Sequence, residues 1–160
     1  MLDDAIALAR DIPSAWFHSV SLRPLVLWQA EPGATSLDRQ FVALIYGKES
    51  PADVPDTREW DAGAAEHGRF AEEVGGAILA GGALHPIDTT TTVRVRDGEA
   101  LVTDGPFSEA AEVVGGLYVL AADDVDAAVA LAALIPVDPG GAVEVRPVAD
   151  MGPDVRPSRA

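Results

Sequence analysis

The apolar residues of this chain fall into short blocks that are separated by prolines, glycines and charged residues. Four blocks have the length and composition of buried strands, and two of them are interrupted by a glycine pair, Gly81-Gly82 and Gly115-Gly116. They cover residues 41–46, 77–84, 113–121 and 142–148. Two further blocks, 91–96 and 101–103, flank Asp97-Gly98, a dipeptide typical of a two-residue hairpin turn.

Two segments between these blocks have the spacing of amphipathic helices. Asp56 or Thr57 can cap the first helix, and Asp123 can cap the second. The predicted core face of the first helix consists of Trp60, Ala64, His67, Ala71 and Val74, with Phe70 beside them. The predicted core face of the second consists of Val125, Ala128, Val129 and Ala132. Each helix therefore lies between two predicted strands.

The predicted order of elements is strand–helix–strand, hairpin, strand–helix–strand. This order indicates an α+β fold, a ferredoxin-like βαβ-βαβ sandwich with an inserted hairpin. Both helices would then cover one face of the sheet and leave the other face bare. A bare apolar face is typical of a surface that packs against a partner, so we expect a homodimer.

Residues 1–40 do not fit this pattern, and we assign them to an N-terminal extension. A short helix is expected up to Arg10, and residues 25–28 have the composition of a short buried strand. Three alternatives remain for the extension: it packs on the domain, mediates a contact, or is partly disordered. The domain itself covers residues 41–148, and residues 149–160 are predicted to form a polar tail.

The charge of the chain excludes several classes of partner. The 11 Lys and Arg residues and 26 Asp and Glu residues give a net charge of −15. Nucleic acids and anionic membranes bind proteins through basic residues, so neither is an expected partner. The absence of cysteine excludes thiolate catalysis and disulfides. The acidic start is unlike a signal peptide, and a cytoplasmic location is the expectation.

Five motifs follow one another in order from Phe41 onward. They are Ala43-Leu44-Ile45-Tyr46-Gly47, Thr91-Thr92-Val93-Arg94-Val95-Arg96-Asp97-Gly98, Thr103-Asp104-Gly105-Pro106-Phe107 with Glu109 and Glu112, Gly115-Gly116-Leu117-Tyr118, and Val143-Glu144-Val145-Arg146-Pro147. In this order they resemble the YCII-related family, in its DGPF-domain branch. The ordered set is a more specific signal than the Asp-Gly-Pro-Phe tetrapeptide alone.

The resemblance implies a ferredoxin-like fold that dimerises into an α/β barrel. It also implies a His–Asp pair that is proposed to be catalytic in the wider family, one group of which resembles hydrolases or dehalogenating lyases. Members of the DGPF branch often lie beside, or are fused to, extracytoplasmic-function sigma factors. The chain departs from the family in residues 1–40, and at Ala111, where the family often has Lys.

His67 and Asp104 are the two candidates for catalysis. His67 shares a helix face with Trp60 and Val74, so we expect its imidazole to face the sheet, where it can act as a general acid or base. Under the resemblance, Asp104 lies near the cleft and would orient the imidazole. The alternatives are a core histidine bonded to a backbone carbonyl and an ordinary turn aspartate.

Four further residues are candidates for contact with a ligand. Arg94 can hold a carboxylate in a bidentate pair, and the alternative is a solvated charge on a strand face. The other three are His85, Tyr118 and Phe107. No two histidines have metal-ligand spacing, and the chain has no glycine-rich phosphate loop. We therefore predict neither a metal nor a cofactor.

Two hypotheses of function follow from these observations, beside a third option of a structural relic that retains no chemistry. The first is a homodimeric small-molecule-binding protein, in its sharper form a cofactor-free acid–base enzyme of hydrolase or lyase type that uses His67 and Asp104. The second is a non-enzymatic regulatory or interaction module associated with extracytoplasmic-function sigma factors. In the second case Trp16, Phe17 and Trp28 would supply the partner surface.

Overall fold

The computed structural model describes residues 1–30, 39–107 and 112–149, which form an α+β fold with two antiparallel sheets. The α-helices of these residues are α1 (Leu2–Arg10), α2 (Pro13–Phe17), α3 (Arg58–Val74) and α4 (Val125–Ala132). The strands are β1 (Val20–Leu22), β2 (Leu25–Ala30), β3 (Gln40–Gly47), β4 (Ile78–Leu84), β5 (Thr91–Arg96), β6 (Glu99–Asp104), β7 (Val113–Ala121) and β8 (Ala142–Pro147). The predicted tail from residue 150 onward, and Ala111, lie outside the described residues.

The larger sheet contains the four strands that flank the two long helices. Its order is β2-β4-β7-β3-β8, and neighbouring strands are antiparallel. Without β2, this is the order that two interleaved strand–helix–strand units produce. The predicted α+β class is therefore confirmed, and the sheet is compatible with a ferredoxin-like fold.

The two core helices begin at side-chain caps. Thr57 caps α3, because its hydroxyl accepts a hydrogen bond from the Trp60 N–H at 3.1 Å. The predicted Asp123 cap of α4 is wrong by one residue, since Asp124 accepts from the Ala127 N–H at 2.8 Å. Asp123 instead forms an ion pair with Arg39.

The core faces of both helices are narrower than the predicted ones. Phe70, with 3% of its surface exposed, is the buried residue of α3, whereas Ala64 and Ala71 are exposed. In α4, Val125 and Val129 are 50% and 51% exposed, and Ala128 and Ala132 are buried. Small alanines let α4 approach the sheet closely, which turns its valines outward.

The hairpin β5–β6 belongs to a second, three-stranded sheet of order β1-β5-β6. Its turn residues Asp97 and Gly98 have φ values of 53° and 81°, which confirms the predicted two-residue turn. Helices α1 and α2 pack on β5, and Ala9, Ala15 and Val93 are buried there. Residues 1–30 therefore pack on the domain, the first of the three alternatives for the extension.

Strand β2 corrects one prediction about the extension. Residues 25–28 do form a strand, but it lies at the edge of the larger sheet beside β4 and is not buried. An edge strand has one hydrogen-bonded neighbour, which leaves side chains such as that of Trp28 half exposed. No helix in the described part of the chain is long and apolar enough to cross a membrane.

Candidate functional site

His67 lies near the middle of α3 and faces strand β7. Its Nδ1 atom is 3.0 Å from the hydroxyl oxygen of Tyr118, and both side chains are half-buried. The expectation that His67 faces the sheet is confirmed. Its hydrogen-bond partner is a tyrosine hydroxyl, which neither of the sequence alternatives for this residue includes.

The ring of Tyr118 is held from two sides. Gly81 lies opposite Tyr118 in the β4–β7 register, and a Cβ atom at position 81 would be only 2.6 and 2.7 Å from two ring carbons. Phe70 packs edge-on against the same ring, with 5.2 Å between centroids. Gly81 is thus a site residue that sequence reasoning missed, although a glycine inside a strand is a signal of close approach.

Burial sets the protonation states of this pair. It lowers the pKa of His67, an effect that the nearby carboxylate of Glu66 opposes, and it raises the pKa of Tyr118. At neutral pH the imidazole is therefore mostly uncharged and the phenol keeps its proton. The contact is a hydrogen bond between two neutral groups.

Asp104 lies at the end of β6, in the three-stranded sheet, and its side chain is exposed. Among the described residues, no hydrogen bond or ion pair joins Asp104 to His67. The turn that follows is fixed by two threonines. The Gly105 N–H donates to the Thr90 carbonyl at 2.7 Å, and the Thr92 hydroxyl donates to the Gly105 carbonyl at 2.8 Å.

The same turn brings Arg94 and Phe107 together. The guanidinium carbon of Arg94 is 4.9 Å from the centroid of the Phe107 ring, which itself is 60% exposed. Arg94 forms no ion pair within the ranges that the structure describes. Thr92 and Arg94 are two positions apart on β5, so their side chains point to the same face of the strand. On this face Thr92 fixes the turn and Arg94 contacts Phe107, a pattern that sequence reasoning did not use.

Other candidates lie at the end of the larger sheet where β3 and β4 finish. His85 directly follows β4, and its backbone N–H donates to the Pro24 carbonyl at 3.0 Å. Arg23, which the sequence analysis did not single out, is half-buried here. Burial lowers its pKa, and the carboxylates of Glu49 and Asp53 oppose this effect. The sequence signal that could have identified Arg23 is a single arginine beside Pro24 in an otherwise apolar segment.

Four of the six predicted site residues thus form two contacting pairs, His67–Tyr118 and Arg94–Phe107. Asp104 is close in sequence to Phe107 of the second pair, and His85, at the end of β4, belongs to neither pair. No group of three or more His, Asp or Glu side chains in the described ranges is arranged to hold a metal ion. The chemistry that the site offers is hydrogen bonding by an uncharged imidazole and anion contact by a guanidinium.

The comparison with known families agrees with this architecture. A family model for the YCII-related domain matches residues 40–152. The match begins at the first residue of β3, so it includes the four-stranded core, both core helices and the hairpin, but not α1, α2, β1 or β2. No curated protein matches the chain. Because the matched region is more than half of the chain, the protein belongs to the YCII-related family.

Proposed function

We propose that the protein is a homodimeric small-molecule-binding protein, and that His67 is the polar group that meets the ligand in a cofactor-free acid–base reaction of hydrolase or lyase type. The observation that supports this is the half-buried, uncharged His67 ring with Nδ1 at 3.0 Å from the Tyr118 hydroxyl. Its second nitrogen has no hydrogen-bond partner among the described residues.

The surroundings of His67 favour this role over a purely structural one. A group that transfers or donates a proton needs a fixed orientation and a protonation state suited to neutral pH. Tyr118 supplies the orientation, and burial supplies the uncharged state. The helix α3 that carries the ring starts at a side-chain cap and is anchored in the core by Phe70.

The proposal does not need Asp104 as the orienting group. In a triad-like arrangement, the orienting carboxylate bonds to the imidazole nitrogen that faces away from the substrate. Tyr118 already occupies that position at Nδ1. Asp104 instead precedes the turn that brings Phe107 to Arg94, which is the second contact we propose for the ligand, through an anionic group.

The proposal also includes membership of the DGPF branch and a dimer of the α/β-barrel type. The branch is supported by Asp104-Gly105-Pro106-Phe107, in which Gly105 has a φ of 89° that favours glycine and Phe107 contacts Arg94. The dimer is supported by the sheet itself. Helices α3 and α4 pack on one face of it, and the opposite face carries the apolar side chains of Leu44 and Leu117 beside the ion pair of Glu144 and Arg146.

The alternative is an interaction module that contacts an extracytoplasmic-function sigma factor. Phe17 on α2 is 78% exposed, which favours a partner surface on this helix. However, α2 packs on β5, and the indole N–H of Trp16 donates to the Arg10 carbonyl at 3.0 Å. Because the aromatic segment is part of the chain's own fold, we place this alternative second.

The first proposal is tested by replacing His67 and measuring ligand affinity. A library of small esters, amides and oxo acids is screened against the full chain by saturation-transfer NMR, and the strongest binder is titrated by calorimetry. His67→Gln is expected to weaken this binder by roughly 10- to 100-fold, because it removes one hydrogen bond in a half-buried site. If the binder is also converted, turnover should fall by about 100-fold or more.

The matched control is His18→Gln. His18 is an exposed histidine at the end of α2, and its described hydrogen bonds are made by its backbone N–H and carbonyl and not by its imidazole. This variant should keep affinity within about twofold, since surface substitutions rarely change more. Equal affinity of wild type and His67→Gln, with both proteins folded, would contradict the proposal, and so would the absence of any binder from the library.

A further inference from the structure

We infer that Tyr118 is a positioning residue that holds the neutral His67 ring in the tautomer with its proton on Nε2. His67 then takes the donor side of the proposed reaction, as a hydrogen-bond donor to the ligand and not as its general base. The inference rests on the proposed function, because it assigns the ligand to the free side of the His67 ring. It stands on the geometry of three side chains and one glycine: His67, Tyr118, Phe70 and Gly81.

The direction of the hydrogen bond follows from counting donors and acceptors. A neutral imidazole has one N–H donor and one lone-pair acceptor, and a phenol must place one O–H proton. Among the described residues, the acceptor within reach of the Tyr118 hydroxyl is Nδ1 of His67, at 3.0 Å. If Nδ1 carried the proton instead, the phenol oxygen would accept it and the half-buried O–H would have to donate to solvent, since the described residues offer no second acceptor.

The packing around Tyr118 prevents the ring from turning away. Its edge lies over Gly81 so closely that a Cβ atom there would stand 2.6 Å from ring carbon Cδ1. On another side it meets Phe70 edge-on, with 5.2 Å between centroids. The hydroxyl therefore stays at Nδ1, and the lone pair of that nitrogen is occupied.

This assignment narrows the chemistry of the ligand. With Nδ1 occupied and Nε2 protonated, the free side of the ring presents an N–H group and no lone pair. The group opposite must be a hydrogen-bond acceptor, such as the carbonyl oxygen of an ester, an amide or an oxo acid. An N–H donor in a partly buried site also stabilises negative charge that develops on such an oxygen during hydrolysis or elimination.

The tautomer is measured directly by NMR on the full chain with ¹⁵N-labelled histidine. Long-range ¹H–¹⁵N correlations at pH 8 distinguish protonated from unprotonated ring nitrogens, and the His67→Gln variant assigns the signals. We expect a protonated Nε2 and an unprotonated Nδ1 for His67. Exposed His18 should show the averaged signals of a ring in fast tautomer exchange. A protonated Nδ1 at His67, or an average like that of His18, overturns the inference.

Tyr118→Phe supplies the second measurement. It removes the hydroxyl and keeps the ring that packs between Gly81 and Phe70, so the fold should be retained. The His67 signals are expected to move toward the averaged pattern of His18, and ligand affinity to fall by roughly fivefold to tenfold. An unchanged His67 spectrum in a folded Tyr118→Phe variant contradicts the positioning role.

The two proposals fail in different ways. If His67→Gln abolishes binding of the small ester or oxo acid but the spectrum shows a protonated Nδ1, the function stands and the donor role is wrong. If the spectrum shows a protonated Nε2 but His67→Gln binds the same probe normally, Tyr118 does set the tautomer and the proposed function is wrong. The spectrum needs no ligand, and the titration needs no knowledge of the tautomer.

Discussion

Gly81 is the residue whose replacement tests the packing of the site most directly. In Gly81→Ala the new methyl group would lie 2.6 and 2.7 Å from ring carbons of Tyr118, closer than any ordinary contact. The Tyr118 ring must shift against Phe70, and overpacking of this kind costs about 1–3 kcal/mol. We expect a loss of that size in the free energy of unfolding, measured by urea denaturation, together with loss of the ordered His67 ring signals.

Gly68→Ala is the matched control, because Gly68 lies on the exposed side of the same helix as His67. A Cβ atom there meets nothing within 4 Å. Alanine favours the helix by about 1 kcal/mol over glycine, so this variant should be as stable as wild type or more stable. A Gly81→Ala protein with wild-type stability and an unchanged His67 spectrum would show that Tyr118 is not held as described.

Arg96 is the connection between the N-terminal helices and the hairpin. Its guanidinium donates to the carbonyls of Ala15, Trp16 and His18, which lie at the C-terminal end of α2, at 3.0–3.2 Å. These carbonyls have no partners within the helix, and a cation at this end also interacts favourably with the helix dipole. The arginine therefore docks α2 on β5.

Arg96→Lys keeps the charge and loses the planar fork that reaches several carbonyls at once. We expect the opening free energy of α1 and α2, as measured by amide hydrogen exchange, to fall by about 1–3 kcal/mol, because hydrogen bonds to a charged donor are lost. Protection of the larger sheet should stay the same. Exposed Arg58→Lys, at the start of α3, serves as the control. Equal protection of residues 2–17 in both variants would contradict a docking role for Arg96.

Local signals in the sequence predict the elements of this protein well. Strand β7 has the bounds that the apolar block indicates, Thr57 caps α3, and Asp97-Gly98 forms the hairpin turn. Each of these features depends on residues within one turn or one strand. Local signals do not predict which residues of α4 face the core, because the close approach of its alanines depends on the sheet against which the helix packs.

Contacts between distant segments explain what the sequence could not predict. His67 and Tyr118 are separated by 51 positions, and no spacing rule relates a helix residue to a strand residue so far along the chain. The pairing of β1 with β5 and of β2 with β4 likewise joins the extension to segments 50 or more residues away. The sequence therefore identified His67 as a candidate but not its partner.

Within the ranges that the structure describes, no helix packs on one face of the larger sheet. The clusters that α3 and α4 form with the sheet include Ala43 and Tyr118, so the alternate residues Leu44 and Leu117 point to the opposite face. Trp28 extends this face across β2, because it pairs with Gly82 and its ring lies over that glycine. A second sheet of the same kind can cover these residues and bury an apolar interface.

Trp28→Glu tests whether this face joins two copies of the chain. Trp28 is 48% exposed on an edge strand, so its replacement should leave the fold intact. A buried aromatic anchor contributes about 2 kcal/mol or more to association, so the dimer should dissociate at a roughly 30-fold higher concentration in sedimentation equilibrium. Val129→Glu, on the exposed side of α4, is the control and should remain dimeric.

Because the net charge of the chain is −15, the salt dependence of association gives a second test of this face. Two copies repel each other at low ionic strength, and added salt screens this repulsion within a Debye length of about 8 Å at 0.15 M. An association that depends on the apolar face should therefore strengthen from 20 to 300 mM salt in the wild type, whereas one held by ion pairs should weaken. A wild type that is monomeric throughout, or a Trp28→Glu variant that dimerises equally well, excludes this face as the interface.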